Sequence, residues 1–162
     1  MNKAQFTTDK NVLTVKRSFK APVSMVWKAF TTPELLDQWW APEPFKSVTS
    51  SMDFSEGGKR LYAMVGPNGE NFWCLTTFKN IVIESQFSGM DAWCDEHGTI
   101  NKEMPASHFT NEFTAIDQST DLLMVTEFAS EEDLKKVLEM GMEPGLTMAL
   151  DQLESMLINQ LV

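Results

Sequence analysis

The chain has 162 residues, 43% of them hydrophobic and 22% charged, so it is long enough to form one domain with a sizeable core. Its 23 acidic and 13 basic residues give a net charge of −10, which disfavours nucleic acid or an anionic membrane surface as a partner. Residues 1–11 lack the apolar core of a secretion signal, and no later run approaches the length of a bilayer span. We therefore expect a cytoplasmic protein.

The first predicted strand covers residues 12–20, where apolar and polar side chains alternate and only Arg17 interrupts the apolar face. Residues 1–11 before it are expected to be flexible. Two short helices follow, and each has a proline in its first turn, at Pro22 and at Pro33.

Four short strands are predicted next, over residues 45–54, 59–65, 72–78 and 81–87. The second and third of these form the clearest hairpin, because the turn sequence GPNG separates them at residues 66–69. Residues 88–105 then lose the alternation and are rich in acidic residues. They are interpreted as a long connection, which could act as a lid; the alternative moving element is the short helix before Gly141.

Two further strands are predicted over residues 107–116 and 122–128, and a short helix begins after the capping residue Ser130. The chain closes with a long helix from Glu143, whose apolar stripe consists of Leu146, Leu150, Leu153, Leu157 and Leu161. Such a stripe must pack against another element. The order of elements therefore predicts an α+β fold in which one sheet wraps around the C-terminal helix.

Short motifs at the corners of these elements carry a family resemblance: RSFKAP at 17–22, PELL at 33–36, WWAP at 39–42, EGG at 56–58, GPNG at 66–69 and GME at 141–143. With this order of elements, the chain resembles the activator-of-heat-shock-protein-90-ATPase homologue family of the START-like helix-grip superfamily, over about residues 13–157. The resemblance implies a single domain over 1–162, with a curved antiparallel sheet of about seven strands gripping the C-terminal helix.

The resemblance also implies a function, because relatives hold hydrophobic ligands in an apolar cavity between the sheet and the helix. The expected role is binding or carrying a small hydrophobic molecule, without a cofactor. One alternative is stimulation of a heat-shock ATPase in the stress response, which is the weaker expectation because the separate N-terminal domain of the named activators has no counterpart here. Another is an enzyme of the cyclase or hydrolase type. A homodimer is left open.

Aromatic, methionine and leucine residues in or beside the strands and on the long helix are the candidates for lining such a cavity, although each could equally fill the core. With one arginine, the predicted ligand-binding residues are Arg60, Tyr62, Met64, Trp73, Phe78, Phe87, Trp93, Phe109, Phe113, Met124, Leu146 and Leu150. The resemblance adds two departures, since relatives commonly carry aromatic residues where Arg60 and Leu146 stand.

Arg60 shares the parity of Tyr62 and Met64 on its predicted strand, so it would place a positive charge in an apolar cavity. A buried guanidinium requires an anionic partner. One hypothesis is that Arg60 binds the acidic head group of a ligand. The alternatives are an ion pair with a protein carboxylate such as Glu84 or Glu112, or exposure near the neighbouring glycine turn.

Other polar or reactive residues give weaker signals. His108 and Glu112 share one strand face and could act as a base and its orienting partner, but the same face, with its threonines, is typical of a solvated one. Of the adjacent Trp39 and Trp40, one is expected in the core and the other partly covered. The acidic residues near position 95 lack the spacing of a calcium loop, and the two cysteines form no CxxC pair, so no metal and no catalytic residue is assigned.

Overall fold

The computed structural model describes residues 3–159 and 162. The strands are β1 (Gln5–Asp9), β2 (Val12–Phe19), β3 (Lys46–Met52), β4 (Lys59–Val65), β5 (Asn71–Val82), β6 (Gln86–Trp93), β7 (Ser107–Ile116) and β8 (Ser119–Phe128). The helices are α1 (Val23–Thr31), α2 (Pro33–Trp39), α3 (Glu131–Glu139) and α4 (Met142–Ile158). No helix in the described part of the chain is long and apolar enough to cross a bilayer.

The strands form one antiparallel sheet in the order β1-β2-β8-β7-β6-β5-β4-β3, and the predicted α+β architecture is confirmed. The sheet has eight strands, whereas about seven were predicted. The additional strand is β1, which lies within the segment expected to be flexible and pairs with β2 from Gln5↔Lys16 to Asp9↔Val12. Its side chains are mostly exposed, so no buried apolar face marked it in the sequence.

The prediction was also wrong about the strands on either side of residue 85. β5 runs without a break to Val82, and β6 begins at Gln86 and continues to Trp93, so residues 89–93 are a strand and not part of a lid. Glu84, predicted within a strand, lies in the turn between them with φ of 59°. The irregular connection is therefore confined to residues 94–106.

The C-terminal helix α4 packs against the sheet, and Leu150, Leu153 and Leu157 of the predicted stripe are buried in the core. Leu161, the last residue of that stripe, lies outside the described residues. The Gln152 side chain fixes the helix to the segment after α2, because its Nε2 donates to the backbone oxygens of Trp39 and Ala41, each at 2.9 Å.

Arg17 provides a charged anchor between β2 and α4. Its Nη1 lies 2.7 Å from Asp151 Oδ1 and its Nη2 lies 2.8 Å from Glu154 Oε2, while the Arg17 side chain itself is fully buried. The arginine that interrupts the apolar face of β2 is thus paired with acidic residues just outside the leucine stripe of α4.

One end of the space between sheet and helices is filled by aromatic rings. Trp27 of α1 contacts Phe54, Phe87 and Phe113 edge-on, with ring centroids 5.9, 5.6 and 5.2 Å away. Edge-to-face contacts at these distances are favourable, so α1 closes this end tightly. The other end of the same space, beneath the start of α4, is not filled in this way.

Candidate functional site

A cavity of about 380 Å³ lies between the sheet and the junction of α3 with α4. The helical side contributes Val137 and Met140 at the end of α3 and Met142, Gly145 and Leu146 at the start of α4. The second half of α4 is buried in the core, so the helix is gripped tightly at one end only. A cavity of this size is typical of small-molecule sites.

Nine of the twelve predicted ligand-binding residues line this cavity: Arg60, Tyr62, Met64, Phe78, Phe87, Trp93, Phe109, Met124 and Leu146. The other three lie elsewhere. Phe113 belongs to the aromatic cluster around Trp27, and Leu150 is fully buried in the core. Trp73 neighbours the cavity residue Cys74 on β5, so strand alternation places it on the opposite face of the sheet.

Arg60 is buried and is held by protein groups. Its Nη2 lies 2.9 Å from Ser47 Oγ and 3.4 Å from Asp37 Oδ1, and its Nε lies 3.2 Å from Thr49 Oγ1. The guanidinium carbon also lies 3.8 Å from the centroid of the Tyr62 ring, a cation–π contact. Burial lowers the pKa of Arg60, while Tyr62 and Asp37 oppose that shift.

The partner of Arg60 is therefore a protein carboxylate, as one of the alternatives proposed, but the residue is Asp37 of α2 and neither Glu84 nor Glu112. Asp37 is positioned by β3, since its carboxylate accepts from Ser47 Oγ at 2.9 Å and from Thr49 N at 3.0 Å. Such a contact between a helix and a distant strand has no local sequence signal.

Asp91 is the polar cavity residue that the sequence analysis missed. It lies on β6 opposite Thr76 of β5 and Ser107 of β7, and its Oδ1 accepts from Thr76 Oγ1 at 2.6 Å. Burial raises the pKa of Asp91 from 3.8 to about 6, while the Thr76 hydrogen bond and the Arg60 charge act in the opposite direction. Strand parity places Asp91 on the same face as Phe87 and Trp93, but glycine and aspartate on that face interrupt the apolar alternation that would have marked the strand.

Other polar groups of the lining, among them Asn111, Trp40 and Cys74, were also not predicted as ligand-binding residues. Asn111 of β7 is only 6% exposed, and its side chain makes no hydrogen bond within the described part of the chain. Trp40, at the end of α2, donates from Nε1 to the Tyr62 hydroxyl at 2.9 Å, while Trp39 is fully buried. Burial also raises the pKa of the Cys74 thiol to about 12, which keeps it protonated.

Glycine at position 89 shapes the cavity floor. The Phe109 ring lies across it, and a Cβ built at this position would meet the ring at 3.1 Å and the Thr77 carbonyl more closely still. Close approach of a neighbouring group is a common reason for glycine inside a strand. The ring can approach the strand this closely only because Gly89 has no side chain.

The polar residues outside the cavity that the sequence singled out lie apart from one another in the described part of the chain. His108 is exposed on the opposite face of β7 from Phe109, which fits the solvated alternative for His108 and Glu112. Among residues 3–159 and 162, no three His, Cys, Asp or Glu side chains cluster as metal ligands, and both cysteines are free. The site is thus an apolar cavity with a row of polar groups along one wall.

Comparison with known proteins identifies relatives of the whole fold. Residues 20–157 match the family model described as activator of Hsp90 ATPase homolog 1-like protein. A solution NMR structure of an Arthrobacter aurescens protein is 29% identical, with 96% of this chain and 91% of that chain covered and a TM-score of 0.90.

Two crystal structures are also similar to this chain over most of its length. A Mycobacterium smegmatis protein is 30% identical over 95% of this chain and 94% of its own, with a TM-score of 0.86. A Nitrosomonas europaea protein is 25% identical over 92% of this chain and 95% of its own, with a TM-score of 0.79. None of the curated proteins compared matches the chain.

Proposed function

Because this chain belongs to the activator of Hsp90 ATPase homolog 1-like family, whose model covers residues 20–157, we propose that it uses the cavity beneath α4 to bind or carry a small hydrophobic molecule. The observation that carries the proposal is the unequal packing of α4. Its second half is buried against the sheet, whereas Met142, Gly145 and Leu146 in its first half border open space.

The chemistry of the lining supports an apolar guest. Phe78, Phe87, Phe109 and Met124 form the cavity wall on the sheet, and methionines at 140 and 142 face them from the helical side. Burial of apolar ligand surface would stabilise the complex by about 25 cal/mol per Å², less the cost of ordering the ligand. Methionine side chains adapt to different shapes, which suits a site that accepts a flexible chain.

We place the mouth of the cavity at the junction of α3 and α4. Met140 lines the cavity and is also exposed, so it reaches both the interior and the solvent. Gly141, with φ of 93°, ends α3 and turns the chain into α4. We place the route of the ligand at this junction, since Met140 reaches both the cavity and the solvent, whereas residues 89–93 of the predicted lid are held in the sheet.

A cavity-filling substitution tests the proposal. Leu146→Trp adds an indole to the lining, whereas Met148→Trp adds the same group to a position of α4 that is 44% exposed and outside the lining. Nile red, a neutral apolar dye, should fluoresce with the wild-type protein and with Met148→Trp, and should bind at least tenfold more weakly to Leu146→Trp. Equal dye binding by all three proteins would contradict the proposal.

Native mass spectrometry of the purified protein provides a second test. A small molecule that remains bound to the wild-type protein and is absent from Leu146→Trp would identify the ligand by its mass. A wild-type protein that neither retains a molecule nor binds Nile red would refute the proposed function.

A further inference from the structure

Four polar residues occupy consecutive positions across the sheet on the wall of the cavity. Arg60 of β4 pairs with Thr76 of β5, Thr76 pairs with Asp91 of β6, and Asp91 pairs with Ser107 of β7. All four line the cavity. Neighbouring strands lie about 4.8 Å apart, so the four side chains form one short polar row within an otherwise apolar wall.

The two ends of this row differ in their free hydrogen-bonding capacity. At the β4 end, Nε and Nη2 of Arg60 already donate to Ser47, Thr49 and Asp37. At the β7 end, only Oδ1 of Asp91 accepts a hydrogen bond, from Thr76, within the described residues. Ser107 is 9% exposed, and its hydroxyl has no hydrogen-bond partner among the same residues.

The charges nearby favour a donor over an acid. Arg60 contributes one positive charge, while Asp91 and the Asp37 carboxylate that pairs with Arg60 contribute two negative charges when ionised, so the row together with Asp37 has a net charge of −1. A carboxylate placed in the cavity would be repelled by Asp91 and would find a guanidinium whose charge is balanced by Asp37 and whose Nε and Nη2 already donate to protein groups. A hydroxyl or an amine would instead donate to the free oxygen of Asp91.

We propose, as a refinement that rests on the proposed function, that the ligand is an apolar chain or ring system ending in a hydrogen-bond donor, a hydroxyl or an amine, which binds Asp91 and Ser107. Asp91 accepts the donor's hydrogen, and Ser107 donates to or accepts from the same head group. This assignment replaces the acidic head group on Arg60 that the sequence suggested. Asp91 and Ser107 act as specificity-determining residues, and the apolar lining supplies most of the affinity.

Three ligands with one alkyl chain and different head groups test this assignment: decanol, decylamine and decanoic acid. The affinity of each ligand is measured by its displacement of Nile red from the wild-type protein, from Asp91→Asn and from Glu127→Gln at neutral pH. Asn preserves the shape of Asp91 and the acceptor for Thr76 but removes the charge. Glu127→Gln is the matched control, because Glu127 is an exposed strand carboxylate that does not line the cavity.

We expect the wild type and Glu127→Gln to bind decanol and decylamine at least tenfold more tightly than decanoic acid, since a hydrogen bond to a charged group is worth about one factor of ten or more. In Asp91→Asn, decylamine should lose about tenfold and decanoic acid should gain. Ser107→Ala, a second variant, should weaken decanol binding severalfold. A preference over decanoic acid that is confined to decylamine would identify an amine ligand, and an equal preference for decanol and decylamine would identify donation as the shared requirement.

The failure of this proposal can be distinguished from failure of the proposed function. If Nile red binds but decanoic acid competes as well as decanol, or Asp91→Asn leaves the order of affinities unchanged, the donor assignment is refuted and the cavity function stands. If Nile red does not bind the wild-type protein, both are refuted.

Discussion

Replacing Asp91 with asparagine should make the protein more stable at neutral pH, and the gain should disappear in acid. The folded protein holds the pKa of Asp91 at about 6, against 3.8 in the unfolded chain, because burial disfavours the charge. The folded state therefore binds this proton more tightly. The preference of the folded state for protonated Asp91 contributes stability that is fully present below the unfolded-state pKa of 3.8. This contribution is lost as the pH rises through the folded-state pKa of about 6.

The size of the effect follows from the two pKa values. A difference between 3.8 and about 6, at about 1.4 kcal/mol for each pKa unit, corresponds to about 3 kcal/mol. The ionisable groups that face Asp91 are Arg60 and Tyr62 on β4, Cys74 on β5 and, behind Arg60, Asp37 on α2. The α3 and α4 residues across the cavity are not ionisable.

The assay is urea denaturation of the wild type and Asp91→Asn at a series of pH values, and the quantity compared is the difference between their free energies of unfolding. That difference should favour Asp91→Asn increasingly from the lower to the upper of the two pKa values and then level off. Glu127→Gln should follow the wild type in parallel across the same range. Parallel curves for Asp91→Asn and the wild type would refute the burial of an ionisable carboxyl at this position.

Two further predictions concern the frame of the cavity, and urea denaturation checks both. Glu154→Gln should cost about 3 kcal/mol, because Arg17 is buried and Glu154 is only 14% exposed, whereas Asp151→Asn should cost less than about 1 kcal/mol, because Asp151 is 52% exposed. Equal costs would contradict a buried anchor at Glu154. Gly89→Ala should destabilise by about 1–3 kcal/mol, since its Cβ would clash with the backbone carbonyl of Thr77 and press on the Phe109 ring. Gly145→Ala should instead stabilise by about 0.5–1 kcal/mol, because alanine favours a helix over glycine and the added Cβ would make only an ordinary 3.7 Å contact with Pro42. A loss of stability in Gly145→Ala would contradict the open space described at the start of α4.

The fold could be predicted because its strongest signals are local. Alternation located β2, β4, β7 and β8, and the leucine stripe located α4. These patterns depend on one buried apolar face for each element. β1 has no such face, and it exists through backbone pairing with β2, which the side-chain pattern does not encode.

The candidate site was predicted in part, and one physical cause explains why the sequence did not indicate the polar residue on β6. The inward face of β6 carries Gly89 and Asp91 between Phe87 and Trp93, so it does not follow the apolar alternation used to recognise a strand. Polar residues that face a cavity break the pattern at the positions where the sheet is not packed. Asp91 was therefore assigned to a loop.

The inward position of Arg60 could be predicted from the sequence, but its partner could not. Strand parity places Arg60 beside Tyr62 on the inward face, and burial of a guanidinium requires an anion. Asp37 lies 23 residues earlier on α2 and reaches Arg60 through the packing of that helix on β3. Pairing between distant elements of this kind depends on tertiary packing, which local periodicity does not determine.

The most direct test of the cavity's function is a titration of decanol into protein with isotopically labelled methionine methyl groups, followed by NMR. Met64, Met124 and Met142 line the cavity, whereas Met25 and Met148 lie outside its lining. We expect saturable shifts of the first three methyl signals, with those of Met25 and Met148 unchanged. Shifts at Met148 with none at Met124 would show that the alcohol binds the outer surface, and would contradict a ligand site between the sheet and α4.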